Sequence, residues 1–190
     1  MNEASKKFVT NVGLITSNGS IGDNIMSAEW THHISYSPGY IMINLRSRSA
    51  STQNILETKE FGVNIAGDSQ NVVTSIAGRG SGREYNKIAV LRELGVEFYR
   101  ASKINVLMVK GAAMNVECIV VKQEVIGDHI AIVGEVVNSS ADESVHPLLF
   151  NGGKYFRLGE HIPKPDERRM AEIDLLYEKN RKAPKQEQPI

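Results

Sequence analysis

Polar and apolar positions along this chain alternate more often with period two than with the helical period of 3.6. From Phe8 to Ser17 the residues are mostly β-formers, with Val12, Leu14 and Thr16 on one face, and a strand is predicted. Asn18-Gly19 follows as a two-residue hairpin signal, which makes Asn24 to Trp30 the returning strand. Tyr40 to Leu45 is a dense apolar run, short enough for a buried strand, and Phe61 to Ala66 reads as another. Ala112–Ile126 and His129–Val137 are β-rich and joined across Gly127-Asp128, the pattern of a long antiparallel hairpin.

Helical signals are fewer and shorter. Ser51 to Glu60 has Ser49 or Ser51 as N-cap, with Ile55 and Leu56 facing inward. Asp68 or Ser69 is placed to cap a short helix carrying Val72, Val73 and Ile76, with Gly78 as its C-terminal stop. Arg79-Gly-Ser-Gly-Arg83 is punctuated like a loop. From Pro163 the chain changes character: 28 residues, of which 13 are charged, so this segment reads as an appendage. In it Asp166 caps a predicted helix whose Met170, Ile173 and Tyr177 form a narrow apolar stripe, and the last residues from Ala183 are expected to fray. Strands dominate and no βαβ alternation appears, so an antiparallel barrel with Greek-key character is expected.

Composition narrows the functional classes. At 190 residues with 41% hydrophobic content, the chain supports one globular core. Lys+Arg and Asp+Glu both number 22, and without a basic excess no nucleic-acid partner is expected. That balance also permits self-association. Cys118 is the single cysteine, so an internal disulfide and a Cys-rich metal site are excluded. Met1–Lys7 lacks the apolar stretch of a signal peptide, and no apolar run approaches the roughly 18 residues of a membrane span. A soluble cytoplasmic protein is expected, with no membrane partner.

Candidate chemistry gathers between Asn24 and Ile65. Arg46, Arg48, Ser49 and Ser51 stand between a strand and a helix start, where unpaired N–H groups, hydroxyls and guanidinium groups suit a phosphate. The same serines also serve as ordinary caps. In Asn24-Ile-Met-Ser-Ala-Glu-Trp30 the small Ser27 and Ala28 let a flat ring approach backbone donors, and they equally suit a tight barrel corner. Other signals are bland. His32 and His33 are neighbours on a strand and point to opposite faces, so no metal site is expected. Gly78-Arg-Gly-Ser-Gly82 lacks the spacing and the strand-before, helix-after context of a P-loop. Cys118 in its apolar run is expected buried rather than reactive, and Trp30 is expected to fill core.

Taken in order, these segments resemble the flavin reductase-like family of FMN-binding split barrels. The matching pieces are Asn24–Trp30, the Ser37-Pro38-Gly39 turn, the Arg46–Ser51 helix opening, Glu60-Phe-Gly-Val-Asn-Ile65, Asn86-Lys87, Glu117-Cys118, Gly127-Asp-His129, Gly134-Glu-Val136 and Pro147–Tyr155. They span Phe8 to Gly159. Departures are Pro38-Gly39 for the family's paired prolines, Asn86-Lys87-Ile88 for Asp-Lys-Phe, and the long charged tail.

The resemblance implies a mainly β fold: a six-stranded antiparallel Greek-key split barrel with a few short helices, residues 1–162 forming the FMN-binding domain and 163–190 a helical extension. It implies a homodimer with FMN near the interface, and either NADH or NADPH as electron donor. By match, Met26, Ser27, Ala28 and Glu29 line the isoalloxazine. Asn44, Leu45 and Arg46 border the ribityl chain and phosphate, Ser49 and Ser51 bind phosphate, and Lys87 is a weaker candidate for the same anion. The Gly-Asp-His motif nominates His129 as a nicotinamide contact, although Gly127-Asp128 makes a good turn regardless of ligand. Three functions fit: an NAD(P)H-dependent flavin or ferric reductase, which is favoured; an FMN electron carrier reduced by a partner protein; and a non-redox ligand-binding barrel.

Overall fold

Long antiparallel pairings bring residues far apart in sequence onto one sheet. The structure, a computed structural model, describes residues 7–182. In chain order its elements are β1 (Thr10–Asn11), β2 (Gly13–Ser17), β3 (Asn24–Ala28), β4 (Thr31–Tyr36), β5 (Gly39–Arg46), α1 (Ala50–Thr58), β6 (Glu60–Ile65), α2 (Asn71–Gly78) and α3 (Lys87–Glu93). There follow β7 (Phe98–Arg100), β8 (Leu107–Val109), β9 (Met114–Ile126), β10 (His129–Ala141), β11 (Leu149–Asn151), β12 (Lys154–Phe156) and α4 (Glu167–Lys179).

The fold is mainly β. The principal sheet has seven strands in the order β3-β2-β6-β9-β10-β5-β4, all antiparallel, where six were expected. β3 and β4 are its two edges. A three-stranded sheet β1-β11-β12 and a β7-β8 pair complete the strands.

Two apolar clusters explain why the first strands are buried on both faces. Ile15 of β2 joins Ile43, Leu45, Phe61, Val63 and Ile132 on one side of the sheet. Leu14 of the same strand and Ile25 of β3 join Val73, Ala77, Ile88 and Leu91 beneath α2 and α3 on the other. Alternating side chains therefore enter two different cores, and every residue of β2 is buried. Each fully buried Leu, Ile or Phe contributes about 1.5–3 kcal/mol, so these two layers supply the bulk of the driving force.

The β9–β10 hairpin turns at Gly127-Asp128 as expected, with Ile126 opposite His129, and β10 continues four residues beyond the expected end, to Ala141. Its register slips between Val133 and Gly134. A Cβ on Gly134 would stand 2.5 Å from the Phe61 ring and 2.8 Å from the Cys118 Cβ, so a glycine is needed where β10 crosses the core. Glu117 on β9 is 4% exposed and anchors the loop before β8. Its carboxylate accepts from the Ser102 and Lys103 amides, the Ser102 hydroxyl and Asn138 Nδ2, all within 3.0 Å.

Several local expectations are corrected. Asn18-Gly19 is not a two-residue turn: Ser17 pairs with Asn24, leaving a six-residue loop in which Gly22, not Gly19, has positive φ. That loop is tied to α1, because Ser20 donates to Glu57 and the Ile21 amide to Asn54 Oδ1. α2 begins after Gln70 without a side-chain cap, while Asp68 pairs with Arg157 at 2.9 Å instead. Gly78 is its last helical residue, and Arg79 caps it in extended conformation. Of the valines it carries, Val73 is buried and Val72 is exposed. Helix α3 is an addition, opened by Asn86 Oδ1 accepting from the Ala89 amide at 3.0 Å.

The described residues divide into two compact units after Leu158. In the second, Asp166 Oδ1 accepts from the Arg169 amide at 2.8 Å and opens α4 as expected. None of its residues is buried, including the Met170–Ile173–Tyr177 stripe. The expected fraying from Ala183 lies outside the described residues. No helix among the described residues is long and apolar enough to cross a membrane.

Candidate functional site

The start of α1 and the unpaired edge of β3 lie together. Ser49 caps α1: its Oγ accepts from the Thr52 amide at 3.0 Å and lies 2.8 Å from Thr52 Oγ1. Thr52 in turn donates to the Arg46 carbonyl at 2.9 Å, which fixes the end of β5 against the helix. The amides of Ala50 and Ser51 have no partner among the described residues, as expected for donors in a helical first turn. Ser51 is 1% exposed, and its Oγ accepts from Asn24 Nδ2 at 2.8 Å. The Ser51 O–H proton has no acceptor among the described residues.

Strand β3 runs beside this first turn. Met26 is half-buried with Sδ 3.7 Å from Ser49 Oγ, and Ala28 is buried. Ser27 faces the other way: its Oγ donates to the Thr74 carbonyl of α2 at 2.6 Å, which commits its hydroxyl to that helix. Glu29 is half-buried in the turn that follows. Because β3 is an edge strand, alternate N–H groups along it are unpaired and available. The loop after α2 closes over Asn24, and a Cβ on Gly82 would run into the Asn24 amide.

The other nominated residues divide. Asn44 is half-buried, and its amide donates to the Trp30 carbonyl at 3.0 Å. Leu45 is 1% exposed and packs in the core, so its side chain is not in the site. Arg46 is exposed at the end of β5, directly opposite His129 in register. Lys87 is 5% exposed, and its ammonium donates to the Ala77 carbonyl at the end of α2 at 2.9 Å, not to the start of α1. Burial pushes its pKa down to about 8. No carboxylate pairs with it among the described residues.

Trp30 is 40% exposed and is not core as expected: its ring lies 4.8 Å from the His129 ring, tilted by 43°. His129 Nδ1 is 2.7 Å from Asp128 Oδ1. That hydrogen bond above all, and more weakly the nearby Arg46, holds the Asp128 carboxyl below the ordinary carboxylate range. Cys118 is fully buried, and burial foremost pushes its thiol up to about 12, which makes it inert as expected.

Asn24 and Trp30 are the residues whose roles sequence reasoning missed. Both stand at the ends of the Asn24–Trp30 motif, which was the available signal, but their partners Ser51 and His129 are distant in sequence.

The donor set fits a phosphorylated flavin. Two free amides and a buried hydroxyl converge at a helix start, which suits an oxyanion. An edge strand with small residues beside it admits a flat ring. Among the described residues no group of three or more His, Cys, Asp or Glu side chains is arranged to hold a metal.

In sequence and fold the chain is similar to known proteins. The family model described as "Flavin reductase like domain" matches residues 5–159. An NADH-dependent flavin reductase of Rhodococcus sp. is 28% identical over 131 residues, 68% of this chain and 67% of that protein. Among solved structures, the NADH:FAD oxidoreductase of Streptomyces globisporus C-1027 superposes with a TM-score of 0.74 at 21% identity, covering 82% of this chain and 89% of that one. A flavoredoxin from Methanosarcina acetivorans superposes with a TM-score of 0.77 at 19% identity, covering 88% and 94%.

Proposed function

The chain belongs to the flavin reductase-like family, and on that premise we propose that it is an FMN-binding, NAD(P)H-dependent flavin or ferric reductase. The observation that carries this reading is the pair of unpartnered amides at Ala50 and Ser51, set over the buried Ser51 hydroxyl and beside the open edge of β3. When bound, FMN supplies the N5 atom that accepts hydride from a nicotinamide.

In this reading the chain binds, orients and shields. Ser49, Ser51 and the α1 amides hold the phosphate, and Arg46 adds charge-assisted hydrogen bonds of about 1.5–3 kcal/mol each. Backbone donors from Met26 to Glu29 face the ring edge, where negative charge develops on reduction. Asn44 borders the ribityl chain, and His129 meets the nicotinamide. No side chain is needed as acid or base, since the task is to hold two ring atoms roughly 3–3.5 Å apart.

The same reading takes the seven-stranded sheet as an antiparallel split barrel of Greek-key character, with residues 163–190 as an extension. It also pairs two copies with the flavin near their interface. The exposed Ile34 and Tyr36 on edge strand β4 support a second copy covering that face.

Anaerobic titration of the FMN-loaded protein with NADH and then NADPH, following the flavin absorbance, tests the activity. Bleaching by either supports it; bleaching only by a reduced protein donor replaces it with the carrier function. Replacing Arg46 and Ser51 together with Ala is expected to weaken FMN binding at least tenfold, from charged hydrogen bonds of ~1.5–3 kcal/mol. Unchanged affinity would show the phosphate to lie elsewhere.

A further inference from the structure

The one tryptophan of the chain stands at the corner where β3 turns into β4, on the side of the sheet end that carries Arg46 and His129. Its indole is neither buried filler nor free surface, being 40% exposed with its ring against the His129 imidazole. Its carbonyl accepts from the Asn44 amide at 3.0 Å, which pins its backbone to β5 two residues from Arg46. On the other side, Asp128 Oδ1 lies 2.7 Å from His129 Nδ1.

His129 is thus held by two restraints of different kinds. The carboxylate accepts from Nδ1 and so selects the atom that is committed, leaving Nε2 without a partner among the described residues. The hydrogen bond alone is a weak restraint on the ring, since the Asp128 side chain is 85% exposed and its carboxylate is open to competition from water. The indole face removes that freedom. An aromatic pair of this kind contributes ~0.5–1.5 kcal/mol beyond its area, enough to select one ring orientation among a few.

We infer that Trp30 is a positioning residue: by packing on His129 it aims Nε2 at the nicotinamide half of the donor and sets donor affinity without touching the flavin. This rests on the reductase reading above. It separates the two ends of the Asn24–Trp30 segment, with Asn24 serving the phosphate end and Trp30 the donor end.

The test uses the FMN-loaded full chain with Trp30→Ala, Trp30→Phe, His129→Gln and the double variant Trp30→Ala/His129→Gln. Trp30→Ala is expected to raise the KM for the nicotinamide about tenfold with kcat changed far less, while FMN affinity stays within about twofold. Trp30→Phe restores most of the loss because the ring face is kept. The double variant is no worse than His129→Gln alone, since Trp30 acts through that ring. A weakened FMN affinity in Trp30→Ala, or additive losses in the double variant, overturns the inference.

A second readout needs neither flavin nor turnover. In the flavin-free protein at one fixed pH the emission of Trp30, undiluted by any other tryptophan, is expected to change in intensity and wavelength on His129→Gln, because the ring packed on the indole is lost. Identical spectra for the two proteins overturn the ring contact itself. If the spectra differ but neither nicotinamide bleaches the flavin, the contact stands and the failure belongs to the reductase reading, which takes the donor role of Trp30 with it.

Discussion

Lys87→Met is the most discriminating stability experiment this fold offers. Lys87 is 5% exposed, its ammonium has one acceptor, the Ala77 carbonyl, and no carboxylate neutralises it among the described residues. Burial lowers its pKa from 10.5 to about 8. At ~1.36 kcal/mol for each pH unit, that fall corresponds to about 3 kcal/mol against the folded state whenever the group is charged. The sign follows from proton counts. Between about 8 and 10.5 the unfolded chain holds the proton and the folded chain does not, so stability rises with pH across that window. Below it the full penalty is present, and above it none remains.

Methionine keeps an unbranched apolar stem one atom shorter and removes the charge. Near pH 7 the variant is expected to be more stable than the wild type by about 2 kcal/mol, after subtracting ~1 kcal/mol for the lost hydrogen bond to Ala77. The two curves should cross near pH ~10, and above 10.5 the wild type should lead by up to ~1 kcal/mol, the hydrogen bond to Ala77. Urea denaturation followed by far-UV circular dichroism at a series of pH values measures this, and the comparison cancels the titration of every other group. Parallel curves for the two proteins would refute the reasoning. Saturating FMN adds a second arm. A phosphate near Lys87 would raise its pKa and flatten the wild-type slope, whereas a lysine that only ties α3 to the end of α2 would keep it.

Two further outcomes are expected. Glu117→Ala removes the acceptor of four hydrogen bonds and should destabilise the fold by on the order of 3 kcal/mol, read as a lower urea midpoint. Burial acts to raise the Glu117 pKa, but those bonds outweigh it and leave it lowered. The stabilisation is therefore present above about 4.5 and lost as pH falls through the lowered value, and the variant should lack that acid-side loss. Gly82→Ala pushes on the buried Asn24 amide and should break its bond to Ser51, weakening FMN about tenfold by flavin-fluorescence titration. Full affinity would place the phosphate away from Ser51.

Features set by near neighbours were legible along the chain. The cap at Ser49 and the cap at Asp166 each involve an amide three residues on, and the Gly127-Asp128 turn needs only its two flanking strands. The run of motifs from Asn24 to Tyr155 likewise pointed to the right family, because motif order survives where single residues are ambiguous. Features set by distant partners were not legible. Asn18-Gly19 looked like a tight turn until Glu57 and Asn54 of α1 drew Ser20 and Ile21 into a wider loop. Asp68 was drawn from a capping role to Arg157, 89 residues away. Lys87 found an acceptor in the Ala77 carbonyl at the end of α2, Leu45 turned into the core, and Trp30 met a histidine from the far hairpin. Local preferences act over three or four residues, whereas burial and long-range pairing choose among the many partners a side chain of given chemistry accepts, and that choice exists only once the strands have met.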